Sequence, residues 1–151
     1  MNLSRLHKDI LEECSIEDEG LWNVITAVTR EIISQQVGAA FYSPPGGIWT
    51  QERQDQLIEL TNAIDPKKLQ QQTLDILHDL LDAGLIVAGM LGEEGEWIGT
   101  GWELPPAVII TRIRTEWEAL GHQPTIGDIV WFKSTAQGDR ILHEGKERNV
   151  L

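Results

Sequence analysis

PKKLQQQTLDILHDLLDAGLI, residues 66–86, is the stretch whose reading decides the fold. Asp65 precedes it in the position of a helix N-cap, and Pro66 takes the first helical position, where an N–H would have no intrahelical partner. Leu69, Thr73, Ile76, Leu77, Leu80 and Leu81 recur with helical spacing and form a wide apolar face. Gly84 stands where a left-handed residue is wanted to stop the helix. The spacing predicts one helix over 66–83 with Leu69, Ile76, Leu77, Leu80 and Leu81 inward. The β-rich run LIVAGML follows directly as a strand. GEEG is then a turn, and EWIGTGWEL, residues 96–104, is expected to return as the hairpin partner.

On the N-terminal side, Leu3, Leu6, Ile10 and Leu11 have helical spacing. Ser15 or Asp18 suits the cap of a second helix with the stripe Leu21, Ile25, Val28 and Ile32; one helix broken near Gly20 fits as well. The Pro44-Pro45-Gly46-Gly47 run ends any helix before it. Thr50 suits the cap of a helix with Leu57, Leu60 and Ile64 on one side. On the C-terminal side, Pro105-Pro106 opens a helix with the stripe Ile109, Ile113, Trp117 and Leu120, closed by Gly121. Ile129 to Phe132 is a second β-rich run, AQGDRILHEG a short helix or turn, and KERNVL a polar tail.

A chain of 151 residues is expected to form one domain with a real core. No apolar run approaches the roughly 20 residues of a membrane span. The amphipathic N-terminus lacks a secretory pattern and Cys14 is the single cysteine, so the expectation is a cytoplasmic protein with one ordinary thiol. Charge is uneven. Residues 50–104 hold 3 basic and 11 acidic side chains, against 3 and 7 in residues 1–49 and 6 and 6 in residues 105–151. Such a field repels nucleic acid and anionic membranes and favours basic partners.

Two motifs carry a family resemblance. ILHDLLDAGLI, residues 76–86, resembles the helix-to-strand junction of MarR- and PadR-type winged helices, and VWFKSTAQGDRIL, residues 130–142, resembles their closing strand and helix. Together with the order of elements, the resemblance spans about half the chain. It implies a mainly helical α+β fold: a winged-helix-like three-helix core with a small β-hairpin wing at about 18–102, then a helical extension and closing strand at about 103–145. EWEALGHQPTIGDIVWF, residues 116–132, is also similar to uncharacterised bacterial proteins of unknown activity.

A winged helix reads bases with the exposed N-terminal half of its third helix. Here Lys67, Lys68, Gln70 and Gln71 offer suitable groups, since Gln pairs with adenine and Lys with phosphate or guanine. The face then turns acidic. Asp75, Asp79 and Asp82 follow at i, i+4, i+7, and Glu93, Glu94 and Glu96 occupy the wing tip. Carboxylates beside phosphates oppose binding, so duplex DNA is disfavoured. The same residues suit a basic protein partner, with Trp97 as an aromatic anchor and Trp49 and Trp102 as further candidates. Trp22, Trp117 and Trp131 are expected in the core.

No catalytic, cofactor or metal site is legible. His7, His78, His122 and His143 are scattered, and no P-loop, dinucleotide fingerprint or nucleophile elbow occurs. Asp75 and His78 have dyad spacing but read better as a surface pair. The expected function is non-catalytic: an acidic regulator or toxin-neutralising immunity protein without cofactor. A small DNA-binding transcription regulator, a homodimer through its terminal helices, is the alternative, and an enzyme of unknown type the third reading.

Overall fold

A computed structural model describes residues 3–150, with side chains up to position 145. The elements in order are α1 (Arg5–Ile16), β1 (Glu19–Gly20), α2 (Leu21–Val37), α3 (Gln51–Asn62), α4 (Pro66–Asp82), β2 (Ile86–Gly89), α5 (Pro106–Leu120), β3 (Trp131–Ser134) and α6 (Ala136–Val150). The protein is a mostly helical α+β fold with a three-stranded antiparallel sheet of order β1-β3-β2. Two short 3₁₀ turns at 39–42 and 45–47 connect α2 to α3.

The signals around residues 66–86 act locally and appear as expected. Asp65 accepts from the Lys67 N–H at 3.1 Å, and Gly84 stops the helix with φ of +72°. Leu69, Thr73, Leu77, Leu80 and Leu81 are buried. Ile76 is half-buried against the core, and Leu74 is buried at 1% exposure instead. The arc has shifted because α4 packs against both α2 and α5 as well as against β2.

The hairpin expectation needs correction. β2 pairs along its length with β3, Ile86 opposite Ser134 through Gly89 opposite Trp131, and not with residues 96–104. The 96–104 segment does turn back beside β2. It meets β2 and the residues just after it through a Leu91–Trp97 bridge, Gly92 N–H to the Glu96 carbonyl at 2.7 Å, Ile98 N–H to the Met90 carbonyl at 3.0 Å, and Trp102 N–H to the Ala88 carbonyl at 2.8 Å. The Gly-Thr-Gly run at 99–101 loops out between these contacts, so no ladder forms. β3 begins later than the β-rich run suggested, because Ile129 holds φ of +71°, outside the extended region.

The Ser-Thr-Ala-Gln-Gly run after β3 closes the fold. Thr135 Oγ1 donates to the Gly84 carbonyl at 2.7 Å and accepts from the Gly138 N–H at 3.0 Å. A Cβ at Gly138 would lie 2.4 Å from the Leu85 carbonyl oxygen, so only glycine lets α6 approach this closely. α6 runs on through 146–150, where a polar tail was expected; Leu151 lies outside the described residues.

The core spans more of the chain than 18–102. α1 contributes Ile10, Leu11 and Cys14, and the β3 region contributes Val130 and Phe132. β1 separates α1 from α2, and Gly20, not Ser15 or Asp18, occupies the α2 cap without a side-chain hydrogen bond. Trp117 is buried as expected. Trp22 is 38% exposed, which corrects its placement in the core, and Trp131 is half-buried. α3, capped by Thr50, buries none of its residues.

Candidate functional site

The acidic stripe of α4 exists, but its members differ. Asp82 and Asp75 are exposed, and Gln71 donates to Asp75 at 2.7 Å. Asp79 is tied across the fold to His7 of α1, Nε2 to carboxylate oxygen at 2.9 Å. His7 also completes a capping box: its N–H donates to Ser4 Oγ, and its Nδ1 meets the Ser4 N–H at 3.2 Å and the Ser4 hydroxyl at 2.5 Å. Nδ1 is therefore the acceptor, which leaves the proton on Nε2 facing Asp79. Ser4 and His7 close on each other, so this chain of contacts is a tether from the α1 cap to α4. The histidine that reaches the stripe is His7 and not His78. The spacing within α4 gave no sign of it, because the partner lies 72 residues away.

At the turn after β2, Glu93 and Glu94 are exposed, with no side-chain hydrogen bond or ion pair among the described residues. Glu96 folds back to accept from the Glu94 N–H at 3.1 Å and so holds the turn. Trp97 is half-buried. Its ring lies so close over Gly89 that a Cβ there would come within 2.7 Å, and Lys133 Nζ sits 5.8 Å from its centroid.

Lys67 and Lys68 are exposed in the first turn of α4, while Gln70 is half-buried. Gln71 is engaged on its other side by Arg114 of α5, at 3.1 Å. Arg53 donates to the Phe41 carbonyl at 2.7 Å. Trp49 packs edge-on against Phe41 with centroids 5.7 Å apart, and the Arg112 guanidinium covers Trp102 at 3.8 Å.

Sequence reasoning missed a second acidic surface. α1 and α2 border an open groove of about 450 Å³, lined by Asp9, Glu12, Glu13, Glu19 and Glu31, with Arg5 and Arg30. Arg5 pairs with Asp9 at 3.8 Å, and Arg30 lies over the Tyr42 ring at 4.5 Å. Glu19 is only 5% exposed, and no described residue hydrogen-bonds its side chain. Burial pushes its pKa up to about 7, and repulsion from Glu13 and Glu17 adds to the effect. Next to it, burial and the same kind of repulsion push Cys14 up to about 12, so the thiol stays protonated and unreactive. A carboxylate in the run Glu17-Asp18-Glu19 carries no local sign of burial. The pairing of Glu19 with Phe132 is what draws it inward.

Among the described residues no three His, Cys, Asp or Glu side chains converge to hold a metal ion, and no helix is long and apolar enough to cross a membrane. Fold and surfaces define a mostly helical α+β protein whose exposed charge is predominantly acidic. No family model, curated protein or solved structure matches the chain.

Proposed function

We propose that this chain is a non-catalytic acidic binding protein of winged-helix type that engages a basic protein partner, as a regulator or a toxin-neutralising immunity protein. The observation that carries the reading is unneutralised charge. Asp82, Glu93 and Glu94 are exposed without a basic partner among the described residues, in a chain with 24 acidic and 12 basic residues. The winged-helix part draws support from β1 lying between the first two helices, from β2 following α4, and from the sheet order β1-β3-β2. Residues 90–130, with α5, take the place of a short wing. Exposed carboxylates act on encounter at long range, so they raise association rate more than they slow dissociation.

The test uses partner capture from the native host, with the variant Asp75→Asn, Asp82→Asn, Glu93→Gln, Glu94→Gln as control. Slower association and a flatter salt dependence are expected in the variant. Equal recovery and equal kinetics would overturn the reading. Exposed Lys67 and Lys68 are what favour the DNA-regulator alternative. Random duplex should bind more weakly than the ~10⁻⁴–10⁻⁶ M usual for DNA-binding proteins. Sub-micromolar binding that Lys67→Ala with Lys68→Ala abolishes would put the regulator in its place.

A further inference from the structure

We infer that the groove between α1 and α2 is a binding site for a primary alkylammonium group, which it seats against the carboxylate of Glu19. Two independent observations carry this. Glu19 is 95% buried, since only 5% is exposed, yet it has no hydrogen-bonding side-chain partner among the described residues. Its carboxylate oxygens are not sealed in the interior; they open onto the groove, where a cation can reach them. The second observation is the cavity. Glu19 lines both the groove and a smaller adjoining recess of about 30 Å³.

The recess selects the ligand class. Its apolar walls are Ile10, Val24 and Ala27, with Glu13 and Asn23 as the other polar groups. A volume of about 30 Å³ has room for an ammonium head. The three aliphatic side chains suit the methylenes behind the nitrogen, and the carboxylates plus the Asn23 amide oxygen can take its three N–H donors. A metal ion is the poorer match, because no three ligating side chains converge here among the described residues. Farther out, Arg5 is held by Asp9 and Arg30 lies over Tyr42, and Glu31, which accepts from Gln35 at 3.4 Å, offers the open wall a carboxylate for a second positive charge. Two carriers present this chemistry: a free di- or polyamine, or a lysine side chain of a protein. The site reads the ammonium, whichever carries it.

The experiment is calorimetric titration of the full chain at pH 8 and low salt. The probes are 1,5-diaminopentane, spermidine and a short end-blocked lysine peptide. Saturable binding of at least one is expected. Saturation by the amines assigns a free ligand, and saturation by the peptide alone assigns a protein-borne lysine; either supports the site. Glu19→Gln should weaken binding roughly tenfold or more, as loss of a charge-assisted hydrogen bond does. Ala27→Leu, which fills the recess without changing charge, should do the same. Glu93→Gln with Glu94→Gln, at the distant turn, should leave the affinity within about twofold, as exposed charges act weakly through water. Amide resonances of Glu13, Glu19, Asn23 and Ala27 should shift in the wild type, a readout that needs no variant to fold. The inference is overturned if no probe saturates, if Glu19→Gln binds as well as wild type, or if the turn variant loses as much as Glu19→Gln. Because the partner reading rests on the exposed carboxylates, failure here leaves it untouched.

Discussion

Glu19 and Asp82 are both carboxylates of a net-acidic chain, yet one lies beneath two helices at 5% exposure and the other stands in water. Around Asp82, solvent and salt screen the charge, and its influence is long-ranged and weak. Glu19 is largely enclosed by its neighbours, and burial raises its pKa to about 7. Asp79 is intermediate, half-exposed but committed to His7. The charge of a patch therefore says little about its role until burial and partners are known. An exposed patch can steer an encounter, and a largely enclosed carboxylate on a groove wall can seat a single cation.

The comparison presupposes one scaffold, and the largest effect should come from breaking it. Leu77 is fully buried where α4 meets the core. Leu77→Ala should cost about 2–5 kcal/mol in chemical denaturation, through lost transfer energy and the cavity left behind. A change below about 1 kcal/mol would mean that α4 is not anchored as described.

Glu19 offers a sharper test through pH. Its folded pKa, about 7, is above the ordinary 4.5, so the folded protein holds a proton that the unfolded chain releases. The stability tied to that proton is fully present below pH 4.5 and is lost as pH rises through about 7. Glu19→Gln removes the titration. Melting temperature should rise by about 2–6 °C at pH 8 relative to wild type, with a much smaller difference at pH 4.5. A gap between the two proteins that does not change with pH would mean that Glu19 is solvated like Asp82.

The smallest effects separate the members of the α4 stripe. Asp79→Asn should cost about 1 kcal/mol, because it replaces a charge-assisted contact with His7 by a weaker one. Asp82→Asn should stay within about 0.5 kcal/mol, as expected of an exposed site without partners. Equal values in urea denaturation would erase the distinction between tethered and solvated aspartates.

Much of the helical framework was legible, and for a common reason. Asp65-Pro66 and Gly84 bracket α4, Thr50 caps α3, and Pro106 and Gly121 bracket α5. Caps and breakers act within one turn, so each carries its own evidence. The apolar stripe of α2 was legible too: Leu21, Ile25, Val28 and Ile32 are all buried. Less legible was how wide a buried arc each helix would have. Leu74 went in and Trp22 stayed partly out because neighbouring elements, not periodicity, set those limits. The expected site residues also divided on this point. Asp75, Asp79 and Glu96 took internal partners, whereas Asp82, Glu93 and Glu94 did not.

By itself the sequence determined α3, α4 and α5 with their ends, the main apolar stripes and the acidic balance, because these depend on residues within a few positions of one another or on composition alone. Only the tertiary structure decided that β2 pairs with β3 across residues 90–130, that His7 reaches Asp79, and that Glu19 is drawn under α1 and α2. Each of these joins groups far apart in the chain. A strand's hydrogen-bonding edge, a ring nitrogen and a carboxylate carry no local mark of the partner they will meet, and burial is set by whatever packs above them.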